Sequence, residues 1–429
     1  MKTSNTARRI LLYVILFLAL LASYLFFAFL AALVPTTPVR ERIAFTLESG
    51  DLVRDYPQEG VLDDRCRMDN FTDALILSQA YYIDNDNYGR SMLLVPYASA
   101  EPGNVNVITE NLRRLVKGES GVVEKNYPRY WHGSAFLMRF LLQFSDYLHL
   151  RLFFYVLSSL LLFVVLIRMV RKISVYASLA CLLSLLVVNV FVAQFSIQFM
   201  PVLLITLSAT ALVCSRRVDK PILFFVVGSL TAFFDLLTTP LLTVGIPLAI
   251  MLVALYKEQP NFGWLSGFVL MLKTGLAWFL GFALTWFSKW VIATLFTDEN
   301  VILDGFNAFL YRSGGIEDFT RADAVSSNFY MLPLTFLAVL LSLLVVMALV
   351  RFNKSGWKVS VLLLILAAMP YLWYLLAANH SYLHWWFTYR LQAVTVLSLL
   401  LAVGSMVDWQ RWRELLLKVS SKRKLTENQ

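Results

Sequence analysis

Two carboxylates four residues apart, Asp69 and Asp73, mark the stretch Met68-Asp69-Asn70-Phe71-Thr72-Asp73-Ala74-Leu75-Ile76-Leu77. On a helix that spacing puts both groups on one face. Like charges held that close raise the pKa of one of them, which suits a general base. The competing reading is local: Asp69 or Asn70 caps the helix, and Asp73 favours its first turn through the helix dipole. Asp63 and Asp64 lie just upstream and extend the acidic group.

Four further groups could hold an anion or move a proton. Arg129-Tyr130-Trp131-His132-Gly133 sets a cation beside a histidine, which suits a phosphate or a sugar hydroxyl. The same residue types also suit anchoring at a bilayer interface. Asn379-His380-Ser381-Tyr382-Leu383-His384-Trp385-Trp386-Phe387-Thr388-Tyr389-Arg390 holds two of the four histidines. His380 and His384 form a two-ligand metal face if that segment is helical, but no Glu lies between them, so the HExxH hydrolase pattern is absent. Arg390 falls at the head of an apolar run, where a cation needs a partner such as a lipid phosphate. Asp235 closes another apolar run, before Thr238-Thr239-Pro240. It is either a functional intramembrane acid, a cap for the next helix, or a partner for Lys289 or Arg390. Arg312, ahead of Gly314-Gly315, is a further anion candidate. No metal-ligating set is assigned, and a divalent cation is the one cofactor left open.

These groups sit in a chain built for a bilayer. Hydrophobic residues make up 59% and charged residues 15%, and the mean hydropathy is +0.66. A soluble domain carries about a quarter charged residues. The net charge of +9 then reflects loops on one side of a membrane. No basic stripe interleaved with aromatics occurs in a polar region, so nucleic acid is not a partner. Cys66, Cys181 and Cys214 imply no disulfide framework.

The hydropathy pattern predicts an all-α polytopic membrane protein with about ten spans. Residues 1–35 hold the first span, 36–150 a large polar loop, 151–408 a multi-span domain and 409–429 a basic tail. The later spans fall near 151–170, 174–192, 196–214, 221–236, 240–256, 266–294, 329–350, 358–376 and 389–407. Two short amphipathic stretches in the loop, Phe71 to Tyr82 and Ser134 to Leu148, read as helices on the membrane surface or packed under the loop. With the N-terminus inside, the clusters around Arg168, Arg216, Lys257, Arg351 and the tail all fall on the cytoplasmic side. The long loop then faces away from the cytoplasm, and both termini face it.

This layout resembles the GT-C glycosyltransferases, which have one span, a large outer loop with surface helices, then many spans. The segment Asp69-Asn70-Phe71-Thr72-Asp73-Ala74-Leu75-Ile76-Leu77 is similar to the acidic segment at the head of their first loop helix, with Asn70 where a second acid usually follows the first. Tyr130-Trp131-His132-Gly133 and Phe387-Thr388-Tyr389-Arg390 look like phrases of bacterial multi-span membrane proteins. The resemblance implies an enzyme of the bacterial cell membrane that uses a polyprenyl-phosphate-linked sugar donor and a cell-envelope glycan or lipid acceptor. It puts Asp69 in the catalytic position and Asp73 in a secondary one. Arg390, Arg129, His384 and Lys289 become candidates for the departing lipid phosphate, with His380, Tyr389, His132, Asp235 and Arg312 as further binding groups.

Two other classes compete. A polysaccharide polymerase or ligase uses the same kind of donor but works with arginines and histidines on outer loops. A lipid-linked-sugar transporter needs polar residues along several spans at mid-bilayer depth. The span interiors here are nearly clean, with Asn189, Lys273 and Thr285 as the main exceptions, which favours chemistry at one face. A structural scaffold is the third option.

Overall fold

The computed structural model describes residues 2–56, 67–214, 219–314 and 319–426. Asp63, Asp64, Cys66 and Arg216 lie outside the described residues. The chain starts with a long apolar helix, α1 (Lys2–Leu33), followed by α2 (Thr36–Glu48) and α3 (Asn70–Tyr82). A two-stranded antiparallel ladder, β1 (Tyr97–Ala100) and β2 (Val122–Lys125), encloses α4 (Ile108–Lys117). Then come α5 (Gly133–Leu141), α6 (Tyr147–Lys172), α7 (Val175–Leu186), α8 (Val190–Ala193), α9 (Phe199–Val213), α10 (Lys220–Phe234), α11 (Leu242–Glu258) and α12 (Trp264–Phe296). The remainder is α13 (Val301–Ser313), α14 (Arg321–Phe329), α15 (Leu334–Val350), α16 (Trp357–Ala367), α17 (Met369–Leu376), α18 (Ala378–Leu383), α19 (Trp385–Thr388), α20 (Ala393–Ser405) and α21 (Trp409–Thr426).

The fold is helical, with several helices of membrane-crossing length. Five helical stretches qualify among the described residues: Thr6–Leu33, Tyr147–Lys172, Trp264–Phe296, Trp357–Leu376 and Trp385–Ser405. A sixth forms if α14 and α15, bent by 75° at Pro333, count as one. The other expected runs are shorter helices, α7, α9, α10 and α11. Polar corners cut them: Asn189 turns left-handed (φ 53°) after α7, and Asp235 with Thr238-Thr239-Pro240 separates α10 from α11.

Helices α10 and α12 cross at two glycines. A Cβ on Gly228 would strike the Trp278 backbone, and one on Gly281 the Phe225 backbone. Small residues of this kind let helix backbones touch inside a bilayer. Hydroxyls add polar ties: Tyr24 Oη meets Ser229 Oγ at 2.8 Å, and Ser229 Oγ meets Thr285 Oγ1 at 2.7 Å.

The structure decides between the two placements of the loop helices and shortens one of them. The stretch Phe71 to Tyr82 is helical and, of the two placements, α3 takes the packed one and is not a surface helix: residues Asn70 and Thr72 through Ala80 are buried. Helices α2, α4 and α5 and strand β1 all pack on it, so polar residues such as Ser78 face protein; Ser78 Oγ accepts from Ala98 N of β1 at 2.8 Å. The second helix ends at Leu141 rather than Leu148, because Asp146 caps α6 by accepting from His149 N at 3.1 Å. The small ladder is also an addition to the all-α expectation, since neither strand shows apolar alternation.

Candidate functional site

Asp69 stands at the head of the buried helix α3. Its Oδ1 accepts from Thr72 N at 3.0 Å and its Oδ2 from Thr72 Oγ1 at 2.6 Å, so it is the N-cap. The side chain is 6% exposed. Burial pushes its carboxyl up to about 7, with Asp73 adding to the rise and the Thr72 hydrogen bonds and the charge of Arg390 opposing it. A cap is thus also a carboxylate poised near neutrality, the range a general base needs.

Asp73 has a different environment. It is fully buried and accepts four hydrogen bonds: Tyr147 Oη at 2.8 Å, Ser196 Oγ at 3.2 Å, Ile197 N at 3.1 Å and Gln198 N at 3.2 Å. The two backbone donors belong to the turn entering α9. Asp73 therefore caps α9 from outside and ties it to α3. Burial raises its pKa, and Arg151 gives the largest opposing contribution. With both oxygens occupied, Asp73 acts as a positioning residue. Asp73→Asn should lower the folded yield, because an amide cannot accept at both oxygens and a buried donor left unmade costs about 1–3 kcal/mol. Thermal melting of the extracted protein checks this; an unchanged midpoint would remove the structural role.

Cations approach the two acids from α6 and from the head of α20. Arg151 Nε donates to Phe195 O, its Nη2 lies 3.9 Å from Met68 Sδ, and its guanidinium covers the Tyr147 ring at 4.9 Å. Arg390 is 3% exposed and donates from Nη1 to Trp386 O at 3.1 Å. Its guanidinium lies 5.2 Å from the centroids of both Phe199 and Tyr389. Tyr56 closes the gap, stacking on Phe71 (5.8 Å) beside Asp69 and meeting Trp386 edge-on (4.8 Å) beside Arg390. Segments distant in sequence thus place Asp69, Asp73, Arg151 and Arg390 in one neighbourhood.

The histidines lie next to this group. His380 and His384 face each other with ring centroids 4.9 Å apart, and His384 stacks on Phe387 at 5.1 Å. Burial holds both below the usual histidine range, His384 at about 4, with Arg312 reinforcing the effect. His380 Nε2 bonds Leu237 O at 2.8 Å. Among the described residues no third ligand completes a metal set. Tyr389 is buried and donates to Val188 O at 3.1 Å. Asp235 Oδ1 accepts from Thr238 N at 3.0 Å, from Thr238 Oγ1, and from Gln198 Nε2 at 3.3 Å.

The Arg129 to Gly133 group serves to dock a loop on α12. Trp131 is fully buried and donates to Thr285 O at 2.6 Å. Trp286 and Trp290 both donate to Arg129 O, at 2.8 and 2.9 Å. Burial of Tyr130 and Trp131 excludes the interface-belt reading for these two rings. Arg129 pairs with Asp304 at 3.5 Å. His132, left-handed at φ 57°, bonds Tyr127 O at 2.6 Å. Burial pushes it down to about 3, so it is neutral. Lys289 is buried, donates to Met92 O at 2.9 Å and lies 5.4 Å from the Trp131 ring centroid. Arg312 covers Tyr130 at 5.3 Å. Lys289 and Arg129 are therefore engaged by the loop, away from the acids, while Arg312 reaches toward the histidines.

The chain matches no family profile, no curated protein and no solved structure. The site must be read from its own chemistry. It offers one poised carboxylate, one saturated carboxylate beside it, and two guanidinium groups within electrostatic reach. Sequence reasoning missed Arg151, Tyr147, Ser196 and Gln198. Only Arg151, a charge in the second turn of an apolar helix, gave a signal there.

Proposed function

We propose that the protein is a multi-span membrane glycosyltransferase that moves a sugar from a polyprenyl-phosphate donor to a glycan or lipid acceptor of the cell envelope. The observation that carries this reading is Asp69: a buried carboxylate titrating near 7, with Arg390 opposite it. In this reading the shorter helices complete a ten-span, GT-C-like bundle in a bacterial inner membrane. The segment 36–150 is its first extracytoplasmic loop, and both termini are cytoplasmic.

The chemistry follows from charge. The Asp69 carboxylate takes the proton of the acceptor hydroxyl as the acceptor oxygen bonds the anomeric carbon. The bond from that carbon to the phosphate oxygen breaks, and its electron pair leaves on the phosphate. Arg390 neutralises the leaving phosphate, a charge that grows in the transition state. Asp73 ties α3 to the turn entering α9, and the charge of Arg151 opposes the burial penalty on the Asp73 carboxylate. Polar groups within the helices support this over transport. Thr206 and Thr210 bond carbonyls one turn back at 2.7 Å, and Thr231 bonds Thr243 at 2.9 Å. These three hydroxyls bond a carbonyl of their own helix or a neighbouring hydroxyl instead of lining a path.

The direct test incubates purified protein with polyprenyl-phosphate sugars and an envelope-lipid fraction. Release of polyprenyl phosphate with sugar appearing on the acceptor is expected; no release from any donor overturns the proposal. Arg390→Ala should weaken donor binding at least tenfold and leave acceptor affinity unchanged. Equal loss of both affinities, measured by titration, would remove Arg390 from the leaving-group role.

A further inference from the structure

The corner between α10 and α11 carries buried acceptors that nothing among the described residues satisfies. Asp235 is 2% exposed, and its Oδ2 has no hydrogen-bond partner there. Gln198 is fully buried; its Nε2 bonds Asp235 Oδ1 at 3.3 Å, while its Oε1 has no partner. Thr239 Oγ1, two residues from the strained turn, is in the same condition. Buried polar groups are normally bonded, and leaving one unmade costs about 1–3 kcal/mol. Three such atoms around one corner call for a ligand that donates several hydrogen bonds.

A second observation marks the same place. Leu237 is held left-handed at φ 68°, a conformation uncommon for a bulky residue and one that clusters at ligand-binding and active sites. That turn aims the Leu237 carbonyl at His380 Nε2, 2.8 Å away. The corner is therefore braced from α18 while its carboxylate is left with an open oxygen.

The corner is also wired to the acids. Gln198 donates its backbone N–H to Asp73 at 3.2 Å and its side-chain amide to Asp235. The next residue, Phe199, lies under the Arg390 guanidinium at 5.2 Å. One residue thus spans from the neighbourhood of Asp69 and Arg390 to the open acceptors.

We infer that Asp235 Oδ2 and Gln198 Oε1 form a sugar-recognition subsite, each accepting a hydrogen bond from one of two neighbouring hydroxyls of a sugar ring. The inference rests on the reading of the protein as a sugar transferase and adds which residues select the sugar. A vicinal diol supplies two O–H donors close together, matching one open acceptor on each of two side chains that the Gln198 Nε2 to Asp235 Oδ1 bond holds side by side. A site built to bond a hydroxyl rejects an analogue lacking it far more strongly than an apolar pocket does. Deleting one of the two hydroxyls should therefore cost binding a hundredfold or more.

The test uses full-length protein in detergent with two probes. One is a set of methyl glycosides of gluco, galacto, manno, rhamno and arabino configuration, followed by intrinsic tryptophan fluorescence. The other is undecaprenyl phosphate carrying glucose or its 2-, 3- and 4-deoxy forms, followed by release of undecaprenyl phosphate. Variants are Asp235→Asn and Gln198→Met; the second keeps the backbone contact to Asp73 should the first fold poorly. The expected result is binding of at least one glycoside by the wild type, weakened at least tenfold in either variant. Discrimination between the parent sugar and one deoxy form should fall to within about threefold. Glycoside binding that depends on Asp235 without donor turnover keeps the subsite and ends the transferase reading. Turnover with unchanged deoxy-sugar discrimination in both variants keeps the transferase and overturns the subsite. Binding by no glycoside, with no donor turned over, overturns both.

Discussion

Asp69→Asn should abolish the proposed sugar transfer, lowering the rate by roughly a thousandfold or more, the scale of a lost general base, while the protein inserts and melts as the wild type does. The stability half follows from the cap geometry. Asparagine is as good an N-cap as aspartate: its carbonyl oxygen can accept from Thr72 N as Asp69 Oδ1 does at 3.0 Å, and its Nδ2 can donate to Thr72 Oγ1, a hydroxyl that turns from donor to acceptor where it now donates to Oδ2. The catalytic half follows from charge: an amide cannot take the acceptor proton. The pH dependence adds an independent check. The Asp69 carboxyl is raised to about 7 by burial, and a base works only when ionised. Transfer by the wild type should therefore fall tenfold per pH unit below about 7 and level off above it. Retained activity in the Asn variant, or a flat rate between pH 5 and pH 8, would remove Asp69 from the base role. A melting midpoint well below wild type would mean that the substitution reports on folding instead.

Asp69 was legible in the sequence because an acid before an apolar run with a second acid four residues on is a local pattern. That it is both a cap and a poised acid follows from burial, which no local pattern carries. Asp73 shows the limit. Its spacing from Asp69 suggested a coupled pair, yet its four donors come from Tyr147 and the turn at Ser196 to Gln198. Only the tertiary fold brings them, from α6 and from the turn entering α9, to α3. Arg390 was readable as a cation needing a partner, and its approach to Asp69 depends on Tyr56 and Trp386 meeting across the fold. The helical class and the long apolar segments followed from composition and run length. The burial of α3 was left open, because Asn70, Thr72, Asp73, Ser78 and Gln79 scatter polar groups around the helix, and only α2, α4, α5 and β1 cover them. Residue type alone leaves Trp131 open between an interface anchor and a buried ring, because an indole N–H bonds a backbone carbonyl as readily as a headgroup; its burial and its bond to Thr285 O decide for the second.

Arg139→Met should be the most destabilising single change in the segment before α6. Arg139 is fully buried, and it bonds carbonyls alone: Val34 O at 2.7 Å, Ala80 O at 3.0 Å and Ala31 O at 3.4 Å. These oxygens belong to the C-terminal ends of α1 and α3, where helical carbonyls lack partners and partial negative charge collects. One guanidinium fork therefore closes two helix ends and fixes the angle between α1 and the helix that presents Asp69. Burial lowers its pKa only to about 10, so it stays charged. Methionine fills much of the volume and supplies no donor. Val34 O and Ala80 O are then left without that donor in apolar surroundings at about 1–3 kcal/mol each, while Ala31 O keeps Val34 N at 3.3 Å; the loss is enough to lower the melting midpoint by roughly 10 °C and to cut the folded yield severalfold. Arg139→Lys should recover part of the loss, since an ammonium can donate three bonds but not in a planar fork. Melting and yield measured side by side with Asp69→Asn separate scaffold from chemistry: the Met variant loses fold before function, and the Asn variant loses function with the fold intact. A Met variant that melts with the wild type would mean that the two helix ends are held by packing alone.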